Sequence, residues 1–399
     1  MPGPLTGVRV VDVSAVMAGP FATMILAEQG ADVIKIEPLG GDVFRADHTH
    51  GHAISAMSFS SNRAKRSIAI NLKDPRGLEI AERLIEGADV FIENFRTGVA
   101  QRLGLGYEKL SSLNPRLVYV RASGMGPDGP HATDRVYDPI IQAKVGLAHF
   151  GGDGGRPKLL PVLIADKIAP TLISQAITAA LYERSISGLG QYIEQSMLHA
   201  VLWWMWPEMM VTHTYTADDD RDEQPLYYGP PMLYEATDGH VVVVAGDDQA
   251  WRALCVATER LDLVDDPRFA SIAGRIENKD EFGEIFAEEF AKAPVATWTQ
   301  RLSDADASWT LVNSPRDVLT DAQIVANDMI TALDTDAFGT VRVPTPSARF
   351  SRTPSRAGVS PRLGEHSGDI LTELGYDGDE LSALVEESIV RCSQAARPA

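Results

Sequence analysis

The chain has 399 residues, 44% of them hydrophobic and 23% charged, an ordinary globular composition long enough for two domains and a sizeable core. Its formal charge of -19 at pH 7 excludes general binding to nucleic acid or acidic membrane, because the field of the whole molecule repels polyanions. An anionic ligand must therefore meet a local basic patch. Cysteine is confined to Cys255 and Cys392, far apart and without metal-ligand spacing, which suggests neither a disulfide framework nor a zinc site and fits a reducing compartment. The start, MPGPLTGVRVVDVS, lacks the basic and apolar regions of a signal peptide, and no apolar run reaches membrane-spanning length, so the expectation is a cytoplasmic protein.

Val8 to Val13 is almost continuously apolar, Ala18 to Gln29 carries helix spacing, and Ala31 to Glu37 is another short apolar strand. This is a β-α-β unit whose strands are buried on both faces. The pattern repeats with a strand over Ser67 to Leu72, a helix from Gly77 to Ile85 and strands at Val90 to Ile92 and Arg116 to Arg121. Strands alternating with helices imply right-handed crossovers and a doubly wound parallel sheet. Ligands bind such sheets beyond the carboxyl ends of the strands, here Val13 to Gly19, Asn94 to Gly98 and Ala122 to Gly129.

Gly124, Gly126 and Gly129 match G-x-G-x-x-G after a strand, but Pro127 and Pro130 prevent a helix from starting at the glycines, so a turn-rich loop is the better account. His48, His50 and His52 form H-x-H-x-H in a loop, and metal binding there would need further ligands to converge from elsewhere; no metal is assigned. The basic patch does appear. Asn62 to Arg76 holds Arg63, Lys65, Arg66, Lys73 and Arg76 against the single acid Asp74, and Arg96 and Arg102 add two more cations after the next strand, which leaves two readings, a solvated charged face or a polyphosphate site at the sheet edge.

In Leu159 to Ser187 one carboxylate, Asp166, interrupts an apolar run just before helix spacing begins at Ile168, with Pro170 suited to a first turn. Local pattern leaves two readings of Asp166, an N-cap side chain or a nucleophile or base in an apolar wall, and in either the helix dipole favours the ionised form. Gln195 to Val211 is a bulky apolar helix that Pro207 should kink or end, its aromatics suited to core or subunit interface. His213 to Pro231 is acidic and proline-containing, a linker. A strand at Gly239 to Ala245, helices around Gln249 to Thr258 and Lys279 to Ala291, and a segment near Trp309 to Asn313 follow, and the tail from Gly364 is helical and returns to the first domain. The expected division is residues 1–212, a smaller α+β domain over 225–328, and a return segment over 329–399.

GVRVVDVSAVMAGPFATMILAEQGADVIKIEPLGGD, NRAKRSIAINL, ADVFIENFRTG, the aspartate of LIADK and PRLGEHS stand in an order that resembles the family III CoA transferases, from Leu5 to about Val390. The resemblance puts Asp166 at the catalytic aspartate and overturns the capping reading. It implies coenzyme A or its acyl ester as substrate, without a prosthetic group, across Met17, Ala18, Ile70, Asn71, Leu72, Lys73, Asn94, Phe95, Arg96, Arg102, Arg135, Val136, Tyr137 and Asp138. Lys73, Arg96, Arg102 and Arg135 suit phosphates, Asn71 and Asn94 offer amides, and Phe95 offers a face for adenine. Pro38 replaces an expected arginine, for which Arg45 is the neighbouring substitute, and Met17 replaces a glutamine. The family's Gly-rich lid is reduced here to Tyr227 to Met232, with one glycine.

The resemblance further implies an interlocked homodimer and covalent chemistry, with Asp166 attacking an acyl-CoA thioester and CoA passing to a free carboxylic acid. Two rivals stand beside it. An α-methylacyl-CoA racemase would have histidine where this chain has Tyr137, before Asp138, and tyrosine with a pKa of about 10 is a poor acid/base substitute. A non-catalytic CoA-binding protein is disfavoured by the intact Asp166. The donor and acceptor acids are not legible.

Overall fold

The computed structural model describes residues 3–46, 49, 52–150, 156–218 and 230–393. The chain clusters into two compact units, Met1–Met210 with Ala326–Ala399, and Val211–Val325. In chain order the strands are β1 (Arg9–Asp12), β2 (Asp32–Glu37), β3 (Arg66–Ile70), β4 (Val90–Glu93), β5 (Val118–Ser123) and β6 (Tyr192–Ser196). There follow β7 (Leu233–Ala236), β8 (Gly239–Val244), β9 (Ser308–Leu311), β10 (Ile330–Thr335), β11 (Gly339–Pro344) and β12 (Val390–Arg391).

The first unit is built on a seven-stranded sheet in the order β12-β3-β2-β1-β4-β5-β6. The strands β1 to β6 run parallel, as their apolar runs require, and the strand order reverses between β1 and β4. Alternate residues serve opposite faces. Val11, Ile34, Ile68, Phe91 and Tyr119 pack with Ile80 and Leu84 of the helix Pro75–Glu86 and with Ile370 and Leu371 of the tail. Val10, Val33, Ile92, Val118 and Val120 pack with Ala22 and Leu26 of the helix Ala18–Glu28 and with Ile173 and Ile177 of the helix Ala165–Ser187. Period-two alternation thus gives β1, β2, β4 and β5 an apolar contact on both sides.

The tail does more than return as helices. After Ser367–Glu373 and Gly378–Glu386 it adds β12 antiparallel to β3, with Val390 opposite Ile70. A strand of two residues carries no periodic signal, so its pairing is decided only by proximity. The hairpin β10–β11 packs Val343 against Ile54 and Phe59 in the same unit.

The second unit holds the antiparallel sheet β7-β8-β9, covered by the helices Asp248–Ala257, Lys279–Phe290 and Val295–Asp304. Its core is aromatic: Tyr234 stacks on Phe290 at 4.6 Å, and Trp251 lies 5.5 Å from Phe282. Among the described residues no helix is long and apolar enough to cross a membrane.

Local detail departs from expectation at one proline, Pro170. The Asp166 helix begins at Ala165, so Pro170 lies inside it rather than in its first turn. Pro170 has no N-H, and the carbonyl of Asp166, four residues earlier, lacks its usual helical donor. Pro207 lies inside the helix Met197–Met209, which ends two residues later. After β5 no helix starts at the glycines; the next begins at Asp138. Of the predicted linker, residues 219–229 lie outside the described residues.

Candidate active site

A cleft of about 270 Å³ opens at the carboxyl ends of β1, β4, β5 and β6, where the strand order reverses. All three segments expected from the sheet rule reach it: Ala15 to Ala18, Asn94 to Thr97 and Ala122 to Met125. Ala132 to Tyr137 form one wall, and Arg121, Asp166, Ala169, Ile173, Gln195 and Met197 complete the lining.

Asp166 is in the first turn of its helix, whose N-cap is Ile164 with no side-chain cap bond. Asp166 is therefore not the cap. The cap arrives from elsewhere: the Asp166 N-H donates to Asp138 Oδ2 at 3.0 Å. Asp138, 1% exposed, also accepts from Gln142 Nε2 at 2.6 Å. Gln142 in turn donates to the Val162 carbonyl and accepts from the Leu160 N-H, fixing the approach to Asp166. Among the described residues nothing donates to the Asp166 carboxylate, and burial, then the neighbouring Asp138, pushes it up to about 6 against the pull of Lys167. The helix N-terminus alone favours the anion, but desolvation and a like charge outweigh it.

The loop after β1 is held in an unusual conformation. Val16 has φ 69°, a left-handed value that a β-branched residue rarely adopts, and its N-H is tied to Asp42 Oδ2 at 2.8 Å. Asn94 fastens the same loop by bonding both the N-H and the carbonyl of Ala15, which leaves its amide one further N-H. Gly124 permits the opposite wall to close in: a Cβ there would sit 2.6 Å from Val136 Cβ.

The structure divides the basic patch. Arg63 pairs with Glu28 at 2.8 Å, and Lys65 with Asp12 at 3.1 Å, both out of solvent. Asp12 also receives Lys35 and the hydroxyls of Ser14 and Thr23; burial would raise it, but this surplus of donors holds it well below the usual carboxylate range. Arg66 binds Asp32 and Glu373, and Arg76 binds Asp74 and Glu387. Lys73, Arg96, Arg102 and Arg135 are exposed and have no carboxylate partner among the described residues. Arg45 cannot stand in for the missing arginine, since its fork is bidentate on Glu37 at 2.6 and 2.7 Å and also donates to the Pro361 carbonyl.

Of the residues assigned by resemblance, Met17, Ala18, Asn94, Phe95, Arg96, Arg135, Val136, Tyr137 and Asp166 line the cleft. Ile70, Asn71, Leu72, Lys73 and Arg102 do not: Ile70 is buried in β3, and the Asn71 Oδ1 accepts from the Lys73 N-H. Asp138 faces inward onto Gln142 and the Asp166 N-H. Sequence reading missed Arg121 and Gln195 in the lining. Arg121 was accessible to it, at the end of a predicted strand; Gln195 required recognising β6. Arg121 lies 3.9 Å from Glu93 and 3.8 Å from Glu194, and donates to Thr97 Oγ1, which donates to the Ala132 carbonyl. Glu93 is pushed up to about 7, chiefly by burial, against the Phe95 N-H and Arg121.

His48 and His50, residues 151–155 and Tyr227 to Gly229 of the shortened lid lie outside the described residues. Among the described residues no group of three His, Cys, Asp or Glu side chains is placed to hold a metal.

A profile of CoA-transferase family III matches residues 5–367. The succinyl-CoA:glutarate CoA-transferase of Mus musculus is 32% identical over 97% of this chain and 90% of its own length. The formyl-CoA:oxalate CoA-transferase of Streptomyces avermitilis is 31% identical, over 97% and 99%. The crystal structure of a CAIB/BAIF family protein from Brucella suis superposes with a TM-score of 0.83 at 28% identity, covering 94% of this chain and 100% of that one. The family motifs, the parallel sheet and near-full-length relatives agree, and the chain belongs to CoA-transferase family III, enzymes that move CoA from an acyl-CoA thioester to a carboxylic acid.

Proposed function

We propose that the transfer runs through a covalent intermediate on Asp166. The observation that carries this is the Asp166 carboxylate in the cleft wall, which, unlike the exposed and His131-paired Asp134, is free of hydrogen-bond partners among the described residues and pushed up to about 6 by burial. A poorly solvated carboxylate is a better nucleophile than one in water. Asp166 attacks the thioester carbonyl, the C-S bond breaks, CoA leaves as thiolate, and an acyl-aspartyl anhydride remains. Thiolate re-attack on the Asp166 carbonyl gives a carboxylate and an aspartyl thioester, from which the acceptor acid takes CoA through a second anhydride. Phosphates of CoA lie on the exposed cations Arg96, Arg135, Lys73 and Arg102, and Phe95 offers the adenine a face.

The acceptor class we infer is a short dicarboxylic acid, supported by relatives named for glutarate and oxalate. A homodimer, interlocked as in the family, is supported by apolar side chains left exposed on two long helices of the first unit: Tyr182, Ile186, Trp203 and Trp204 are 72%, 73%, 63% and 51% exposed. Residues 225–328 are read as the small domain, supported by the compact unit Val211–Val325. Cys255 and Cys392, both free, suit the cytoplasm.

The test is Asp166→Asn. It should bind CoA and transfer none, while wild type mixed with acyl-CoA and quenched in hydroxylamine should carry hydroxamate on the Asp166 peptide. An active Asn variant, or label on another carboxylate, overturns the proposal. Screening succinyl-, formyl- and acetyl-CoA against oxalate, glutarate and monocarboxylic acids reads the acceptor class.

A further inference from the structure

Asp138 sits one residue beyond the cleft wall and is closed to ligands. Its neighbours explain why it is there. It heads the helix Asp138–Lys144, and its two oxygens accept from Gln142 Nε2 at 2.6 Å and from the Asp166 N-H at 3.0 Å. Gln142 is aimed by two further bonds, to Val162 and Leu160, so each oxygen of Asp138 meets a donor. A buried negative charge is thereby fixed beneath the first turn that carries Asp166.

We propose that Asp138 is a positioning residue for acyl transfer, which holds the Asp166 turn in register and drives acylation of Asp166 by placing a second negative charge beside it. This rests on Asp166 being the nucleophile. When Asp166 Oδ bonds to the thioester carbon and the C-S bond breaks, the negative charge leaves with the CoA sulfur and the anhydride is neutral. The repulsion between two neighbouring carboxylates is relieved in that step. The same repulsion raises the basicity of Asp166, in line with the direction of its shift.

Few other charges oppose this. Lys167, next to Asp166 on the same helix, pulls the other way and lies 5.4 Å from the Phe21 ring centroid. The helix Ala18–Glu28 brings Met17 and Ala18 to the cleft, and Met197 begins the helix Met197–Met209 there; none of these is ionisable. The remaining ionisable groups in the lining are Arg96 after β4, Arg121 on β5, and Asp134, Arg135 and Tyr137 on the opposite wall.

The test is the pH dependence of kcat/KM in Asp138→Asn, whose acid limb reports the free nucleophile. Loss of the charge should move that limb down by on the order of one pH unit and reduce hydroxylamine-trapped acyl-enzyme at pH 7 several-fold. Gln142→Met loosens the same clamp but keeps the charge, and should lower stability while leaving the limb in place. Should Asp138→Asn not fold, the coupling is read from the other side, by infrared titration of carboxyl groups in wild type and Asp166→Asn. Removing the Asp166 charge should shift a second buried carboxyl to lower pH. An unmoved limb, an equal shift in Gln142→Met, or an infrared titration unchanged apart from the loss of Asp166 overturns the role of Asp138. If Asp166→Asn is inactive and the wild-type label sits on Asp166, that failure leaves the nucleophile intact; if the label lies elsewhere, the nucleophile itself is at fault.

Discussion

Asn94 and Ala15 exchange two hydrogen bonds of 2.8 Å each, the amide of one closing on the peptide N-H and carbonyl of the other. They sit on the loops after β4 and β1, the neighbouring strands between which the sheet reverses its order. A side chain assigned to the ligand thus also fastens together two loops that line the cleft.

Asn94→Ala should leave the Ala15 N-H and carbonyl without that partner, at a cost of about 1–3 kcal/mol. The loop carrying Val16 and Met17 should loosen with it, so KM for acyl-CoA should rise more than kcat falls. Urea unfolding and steady-state kinetics check this, and an unchanged midpoint would show that Asn94 is not a structural tie.

Asp166→Asn should stabilise the protein while abolishing transfer. The folded carboxyl titrates at about 6 against its ordinary value of 3.8, so the folded state binds the proton more tightly than the unfolded one. Its favourable contribution is full below pH about 4 and is lost as the pH rises through about 6. Asparagine escapes that loss, by on the order of 2 kcal/mol at pH 7.5, and the difference from wild type should vanish near pH 4. Chemical denaturation at the two pH values decides it.

Glu93 is predicted to behave similarly one step deeper. With its carboxyl raised to about 7 by burial, its stabilising contribution is present below about pH 4.5 and is lost through pH 7. Glu93→Gln keeps an oxygen for the Phe95 N-H, now accepted at 2.7 Å, and should melt above wild type at pH 8.5 but not at pH about 5. Thermal melts across that range check the sign.

The division of the cations predicts two classes of variant. Arg96→Ala, Arg135→Ala, Lys73→Ala and Arg102→Ala should fold normally and each weaken CoA binding on the order of tenfold, as expected for one charge-assisted phosphate bond. Arg63→Ala, which strands the buried Glu28, should instead lose about 3–5 kcal/mol of stability. Calorimetric titration with CoA beside denaturant midpoints separates the classes, and normal CoA affinity in all four exposed variants would remove phosphate from this edge.

Local sequence was enough for the parallel sheet and for the end of it that meets a ligand. Apolar runs at Val8 to Val13 and Ala31 to Glu37 can be satisfied only by burial on both faces, and the helices between them force parallel crossovers; that information is local. It led to the loops after β1, β4 and β5, which line the cleft. The family motifs singled out Asp166 in the same way, as a residue type in a fixed context. Which charges are already spent is visible only in the folded molecule. Arg63, Lys65 and Arg66 look like ligand cations in Asn62 to Arg76 because their partners Glu28, Asp12 and Glu373 lie far away in the chain. The strand β12 and the pairing of Asp138 with the Asp166 turn were hidden for the same reason. Periodicity records how a segment meets the core, whereas pairing and desolvation depend on neighbours through space, and these exist only once the chain has folded.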